Sequence, residues 1–185
     1  LALLNPLLPY YIYHRHYGDF TSNSILSFEY YYKYKTISFF TEFVLDDLQV
    51  ESEAPSDLEP PEYGLMVEIE KNLCSDLLFT INYLKIANRT FNTTLVEEKY
   101  INKNIPMGHS LGNNFWNINT GLYFIKDKGF FGFKYSYIQK GDEALYSDFN
   151  QDYLDFSIED GYSESFPFGE IKEMSGFIFN FSHEL

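Results

Sequence analysis

The sequence predicts an all-β fold, an antiparallel transmembrane β-barrel with about eight strands in this chain. Three observations point there. Aromatic residues make up 20% of the 185 residues, and nearly all of them are Tyr (17) or Phe (19), which favour strands. Segment after segment alternates apolar and polar side chains with a period of two. Tight and long connections between those segments alternate along the chain.

Taken in order, LLPYYIYHRHY (residues 7–17) supplies the first expected strand. SILSFEYYYKY sets Leu26, Phe28, Tyr30, Tyr32 and Tyr34 against Ser27, Glu29 and Lys33. TISFFTEFVLDD sets Ile37, Phe39, Phe43 and Leu45 against Ser38, Glu42 and Asp46, with Phe40 and Val44 as exceptions. GLMVEIEKN places Leu65, Val67 and Ile69 opposite Glu68, Glu70 and Asn72, and LLFTINYL places Leu77, Phe79, Ile81 and Tyr83 opposite Thr80 and Asn82. FWNINTGLYF opposes Trp116, Ile118, Leu122 and Phe124 to Asn117, Asn119 and Gly121. Beyond the KDKG hinge, Phe131, Phe133, Tyr135 and Tyr137 share one parity, with Gly132, Lys134 and Ser136 on the other. SGFIFNFSHEL closes the set, Phe177, Phe179 and Phe181 against Gly176, Asn180 and Ser182. Most of these segments have roughly the 9–11 residues that a tilted strand needs to cross a bilayer.

The connections are medium at 17–23, tight near Lys35, long at 46–63, tight at 73–76, long at 88–113, tight at 126–129 and long at 141–170. In an antiparallel meander alternate connections fall on opposite ends, so the tight turns gather at one end and the long loops at the other. That is the layout of an outer-membrane barrel. The aromatic parity then faces lipid, with Tyr34, Tyr63, Tyr83, Tyr123 and Tyr137 at headgroup level. A soluble lipocalin-like ligand-binding barrel has similar length and alternation and stays open as an alternative, although this many rings would overpack a narrow interior.

Composition excludes several classes of function. A formal net charge of -14, from 13 Lys and Arg against 27 Asp and Glu, offers no basic field for nucleic acid. A single cysteine, Cys74, provides neither a disulfide framework nor a paired-thiol metal motif. No nucleophile elbow, HExxH or phosphate-cradling glycine loop is present, and Glu68 and Glu70, on one strand, read more simply as lining a wet lumen than as glycosidase acids; no enzyme is expected. Residues 1–185 read as one domain, and a start at Leu1 with no basic n-region reads as a fragment of a longer precursor.

TINYLKIANRTFN followed by EEKYINKNIPMGHSLGNNFWNINTGLYF resembles the capsule-assembly (Wzi-type) outer-membrane family. The matching positions are Arg89 with Phe91, Tyr100, and Gly108, His109 and Gly112. FFTEFVLDDLQ, with Asp46 and Asp47, and LNPLLPYYIYHRH, with Asn5 and Pro6, extend the likeness from Leu4 to about Gly141. The resemblance implies a larger barrel of about eighteen strands, of which this chain is the C-terminal portion. It also implies a place in the bacterial outer membrane, with lipid and surface polysaccharide as partners and retention of that polysaccharide without catalysis. A general porin or transport barrel is the competing function. Oligomeric state is left open.

The candidate polysaccharide-binding residues are Tyr100, His109, Asn113, Asn114 and Phe115, because amides, imidazole and rings suit the hydroxyls and C–H faces of sugars. The plainer reading of GHSLG is a loop folded inward and pinned by His109. His14 and His16 share a strand face, a weak metal pattern. In DFNQDYLDFSIE, Asp148, Asn150, Asp152 and Glu159 hold positions of a calcium loop, but Tyr153 replaces the turn glycine. No cofactor is expected beyond Ca2+ among the loop acids Asp142, Glu143, Asp155 and Asp160, and a solvated acidic loop is the simpler reading. Residues 46–62 carry seven acids (Asp46, Asp47, Glu51, Glu53, Asp57, Glu59, Glu62) and no Lys or Arg, which concentrates negative charge at the long-loop end.

Overall fold

A computed structural model describes residues 25–142 and 145–183. The expected alternation becomes seven strands: β1 (Leu26–Tyr34), β2 (Ile37–Asp47), β3 (Glu62–Cys74), β4 (Leu77–Ile86), then β7 (Phe115–Lys126), β8 (Gly129–Lys140) and β9 (Lys172–His183). They form one antiparallel sheet in the order β1-β2-β3-β4-β7-β8-β9. A separate two-residue pair, β5 (Ile101–Asn102) and β6 (Ile105–Pro106), sits inside the second long loop. Tight turns join Tyr34 to Ile37, Cys74 to Leu77 and Lys126 to Gly129, so all of them lie at one end. Every long loop lies at the other.

Register makes the two faces explicit. Tyr32, Phe39, Ile69, Ile81, Thr120, Tyr135 and Phe177 form one continuous row, and Tyr34, Ile37, Lys71, Phe79, Leu122, Phe133 and Phe179 form the next on the same face. The opposite face carries Tyr31, Phe40, Glu68, Asn82, Asn119, Ser136 and Gly176 in one row. Because side chains alternate strictly, a one-residue slip in any pair would mix the two sets. The aromatic face is uncovered: strands pack on their sheet neighbours, and Phe131, Phe177, Phe179 and Phe181 are 49%, 63%, 67% and 78% exposed. The rings therefore do not converge in a closed apolar interior among the described residues.

One expectation, the placement of Tyr123, is corrected. Among the described residues the sheet is open and not closed into a barrel, with β1 and β9 as its edges. The expected strand at residues 7–17, with His14 and His16, lies outside the described residues. Tyr123 does not share the aromatic face. Its parity opposes that of Leu122 and Phe124, and its ring lies against Gly121 and Gly132 on the polar face.

The packed core sits at the long-loop end of the polar face. Ile86, Phe91, Phe115 and Leu145 form it, with Val44, Leu84, Tyr100, Ile101 and Leu111 packed around them. Val44 was an exception to the polar parity because at that height the parity stops facing water and starts facing the loops. The second and third long loops, through Phe91, Tyr100, Ile101, Leu111 and Leu145, close over this end as a cap, and the first packs against the third.

Candidate functional site

The cap is built from residues that turn their polar groups inward. The second long loop leaves β4 at Ala87, whose N–H donates to Tyr63 O at 2.9 Å. Phe91 follows with φ +71, and its N–H donates to the Asp46 carboxylate at 2.6 Å. The Phe91 ring meets Tyr100 at 5.3 Å and presses on Gly108, where a Cβ would stand 2.4 Å from the ring. Only glycine fits there. Gly112, at φ +74, closes the turn on the His109 carbonyl at 2.8 Å.

The five candidate sugar-binding residues divide by burial. His109 is half-buried; its ring packs 4.9 Å from Phe115 and its Nδ1 accepts from Leu111 N–H at 3.1 Å. Burial, helped by the Lys140 charge, lowers its pKa and favours the neutral ring that this acceptor role requires. Tyr100 is also half-buried. Asn113, Asn114 and Phe115 are buried. Asn113 Nδ2 donates to Asn88 O at 2.6 Å and Thr90 O at 2.7 Å. Asn114, at φ +59, brackets Phe168, donating to its carbonyl at 2.9 Å and accepting from its N–H at 2.8 Å. Three of the five thus hold the cap from beneath, while Tyr100 and His109 lie nearer its surface.

Sequence reasoning missed the centre of the cap. Arg89, one of two arginines in the chain, passes between Phe149 and Tyr153, its guanidinium 5.1 and 5.0 Å from their ring centroids. It pairs with Glu164 at 2.5 Å and donates to the Asn150 carbonyl. Glu164 also accepts from Tyr162 OH at 2.9 Å and Asn88 Nδ2 at 3.0 Å. Burial alone would lower the Arg89 pKa, but the Glu164 hydrogen bond and charge outweigh it and hold it above its ordinary value. Burial and Glu164 push the Tyr162 hydroxyl up to about 12. The available signal was a lone arginine between two long acidic loops, for residues 141–171 contain nine acids and no Lys or Arg.

Glu62 is the second omission. It is 5% exposed at the loop end of β3, directly across from Asp47. Burial, then repulsion from Asp46, Glu59 and Asp47, pushes its carboxyl up to about 10. Burial and Asp47 also raise Glu59. In the calcium-like run, Asn150 accepts from Asp152 N–H at 2.7 Å and residues Asp152–Asp155 form a 3-10 turn. Among the described residues no group of three or more His, Cys, Asp or Glu is arranged to hold a metal ion.

A third set lies on the aromatic face beside the loops. Trp116 stands 6.2 Å from Tyr83 and 5.4 Å from Tyr137, and its indole N–H donates to Gln139 at 2.9 Å. Lys85 lies over Tyr63 and Phe166 at 5.0 and 4.2 Å and donates to Tyr63 OH at 2.7 Å. The chain matches no protein-family model, no curated protein and no solved structure.

Proposed function

We propose that this chain forms part of the wall of an outer-membrane β-barrel and that its loop cap retains a surface polysaccharide without turning it over. The observation that carries the membrane part is the uncovered aromatic face. An apolar surface spanning seven strands is far larger than the patches that soluble monomers expose, and lipid is the solvent that suits it. The ring cluster of Tyr63, Tyr83, Trp116 and Tyr137 near the loop end has the amphipathic character of an interfacial girdle. Further strands pairing with β1 and β9 would complete the barrel. In the polysaccharide part, Tyr100, His109 and the exposed Tyr146 offer rings and polar atoms on the cap exterior. Asn113, Asn114 and Phe115 shape it from below.

The competing porin reading is favoured by the polar face, where Glu68, Glu70 and Lys134 would line a lumen. Replacing Tyr100, His109 and Tyr146 together in the full-length protein (Tyr100→Leu, His109→Ala, Tyr146→Ala) separates the two, because it removes the proposed sugar contacts and leaves the strands that would line a lumen unchanged. Loss of surface-attached polysaccharide with unchanged conductance supports retention. Unchanged attachment with altered conductance rejects it.

A further inference from the structure

Tyr123 is laid flat on the sheet by two glycines. Gly121 precedes it by two residues on the same face, and Gly132 is its direct partner on β8. A Cβ at Gly121 would stand 2.5 Å from Tyr123 Cε2 and 2.7 Å from both Tyr123 OH and Thr80 Oγ1; at Gly132 it would stand 2.9 Å from Tyr123 Cδ1. The ring therefore occupies the volume of two missing side chains, and it stacks with Phe130 at 5.9 Å and 22°. These rings line a cleft of about 410 Å³ in the polar face. That volume falls in the ~300–1,000 Å³ range of small-molecule sites.

Polar side chains line the cleft with the rings. Glu68 and Glu70 come from β3, Thr80 and Asn82 from β4, Asn119 from β7 and Lys134 from β8. Asn119 Nδ2 donates to Asn82 Oδ1 and Asn82 Nδ2 to Glu68 Oε2, each at 3.4 Å, which orients the amides along the cleft. A flat ring bordered by carboxylates and amides matches a pyranose, whose C–H face lies on the ring while its hydroxyls reach outward to acceptors and donors.

We infer that this cleft is an oligosaccharide-binding subsite on the polar face, separate from the cap, with Tyr123 as its stacking platform and Glu70, Asn82 and Asn119 as its hydroxyl partners. The inference rests on the carbohydrate part of the proposed function and places a second contact for the same ligand class below the loops.

The test is calorimetric titration of the full chain in detergent with cellohexaose, maltohexaose and chitohexaose. At least one hexasaccharide should bind. Tyr123→Leu should weaken it by about tenfold, the size of one ring contact, while Tyr123→Phe keeps the platform and stays within about threefold of wild type. Should Tyr123→Leu fail to fold, Glu70→Gln and Asn119→Ala, which leave the ring in place, should each weaken binding by about fivefold. Binding by wild type that none of these variants changes overturns the subsite and leaves the cap as the sugar contact. Absence of binding by all three probes also overturns it. Polysaccharide attachment on cells that does not depend on Tyr100, His109 and Tyr146 rejects the cap reading instead, whatever Tyr123 does.

Discussion

Arg89 and Glu164 stand 75 residues apart in sequence and form a salt bridge in which their side chains are only 3% and 7% exposed. One pair thereby ties the second long loop to the third. A buried ion pair adds modest net stability while intact, but removing one partner strands the other charge away from water. Glu164→Gln should cost about 3–5 kcal/mol. Because Glu164 joins the third loop to Arg89 of the second, limited proteolysis of the variant should cut within residues 141–171 before the strands exchange their amides. Uniform protection across cap and sheet in the variant would contradict the keystone role.

The buried carboxyl of Glu62 makes stability depend on pH. Its folded pKa is raised, to about 10 against an ordinary 4.5. At pH below about 4.5 both states hold the proton and folding carries no penalty. As pH rises beyond that, the unfolded chain ionises while the folded one stays protonated, so stability falls through the neutral range until about pH 10. Glu62→Gln removes the titration, and the fall in denaturation midpoint between pH 5 and about 9 should become shallower. An unchanged slope would show that Glu62 is ionised in the fold.

The strands were legible because a sheet exposed on two unlike faces writes its register into every second residue. Phe131, Phe133, Tyr135 and Tyr137 needed only parity to be placed. The cap was not legible in the same way. Arg89 and Glu164 meet through loop geometry that no local period encodes, and Asn113 and Asn114 looked like surface amides because nothing in the sequence shows that backbone carbonyls surround them. Tyr123 was misplaced for another reason. Its residue type suggests an interfacial ring, whereas the parity of Leu122 and Phe124 decides its face.

Phe133 lies on the aromatic face between Phe177 and Phe179, with ring centroids 5.5 and 5.1 Å away. Ser136 is on the opposite face, across from Asn119 and Gly176. If the aromatic face meets lipid, Phe133→Arg should cost about 2–4 kcal/mol of folding free energy in vesicles, while Ser136→Arg is tolerated. Folding titrations in phosphatidylcholine vesicles read both. Equal costs would reject the facing assignment and with it the membrane reading.

Asn113 tests whether a cap residue binds ligand or holds the loop. It is 2% exposed, and its amide supplies a donor to each of two carbonyls, Asn88 O and Thr90 O. Asn113→Ala leaves both acceptors short of a partner away from water, at a cost of about 1–3 kcal/mol. The expected result is a lower denaturation midpoint with polysaccharide attachment reduced only in proportion to the unfolded fraction. A variant with wild-type stability and lost attachment would instead make the Asn113 amide a direct sugar contact, which requires the cap to open around it on binding.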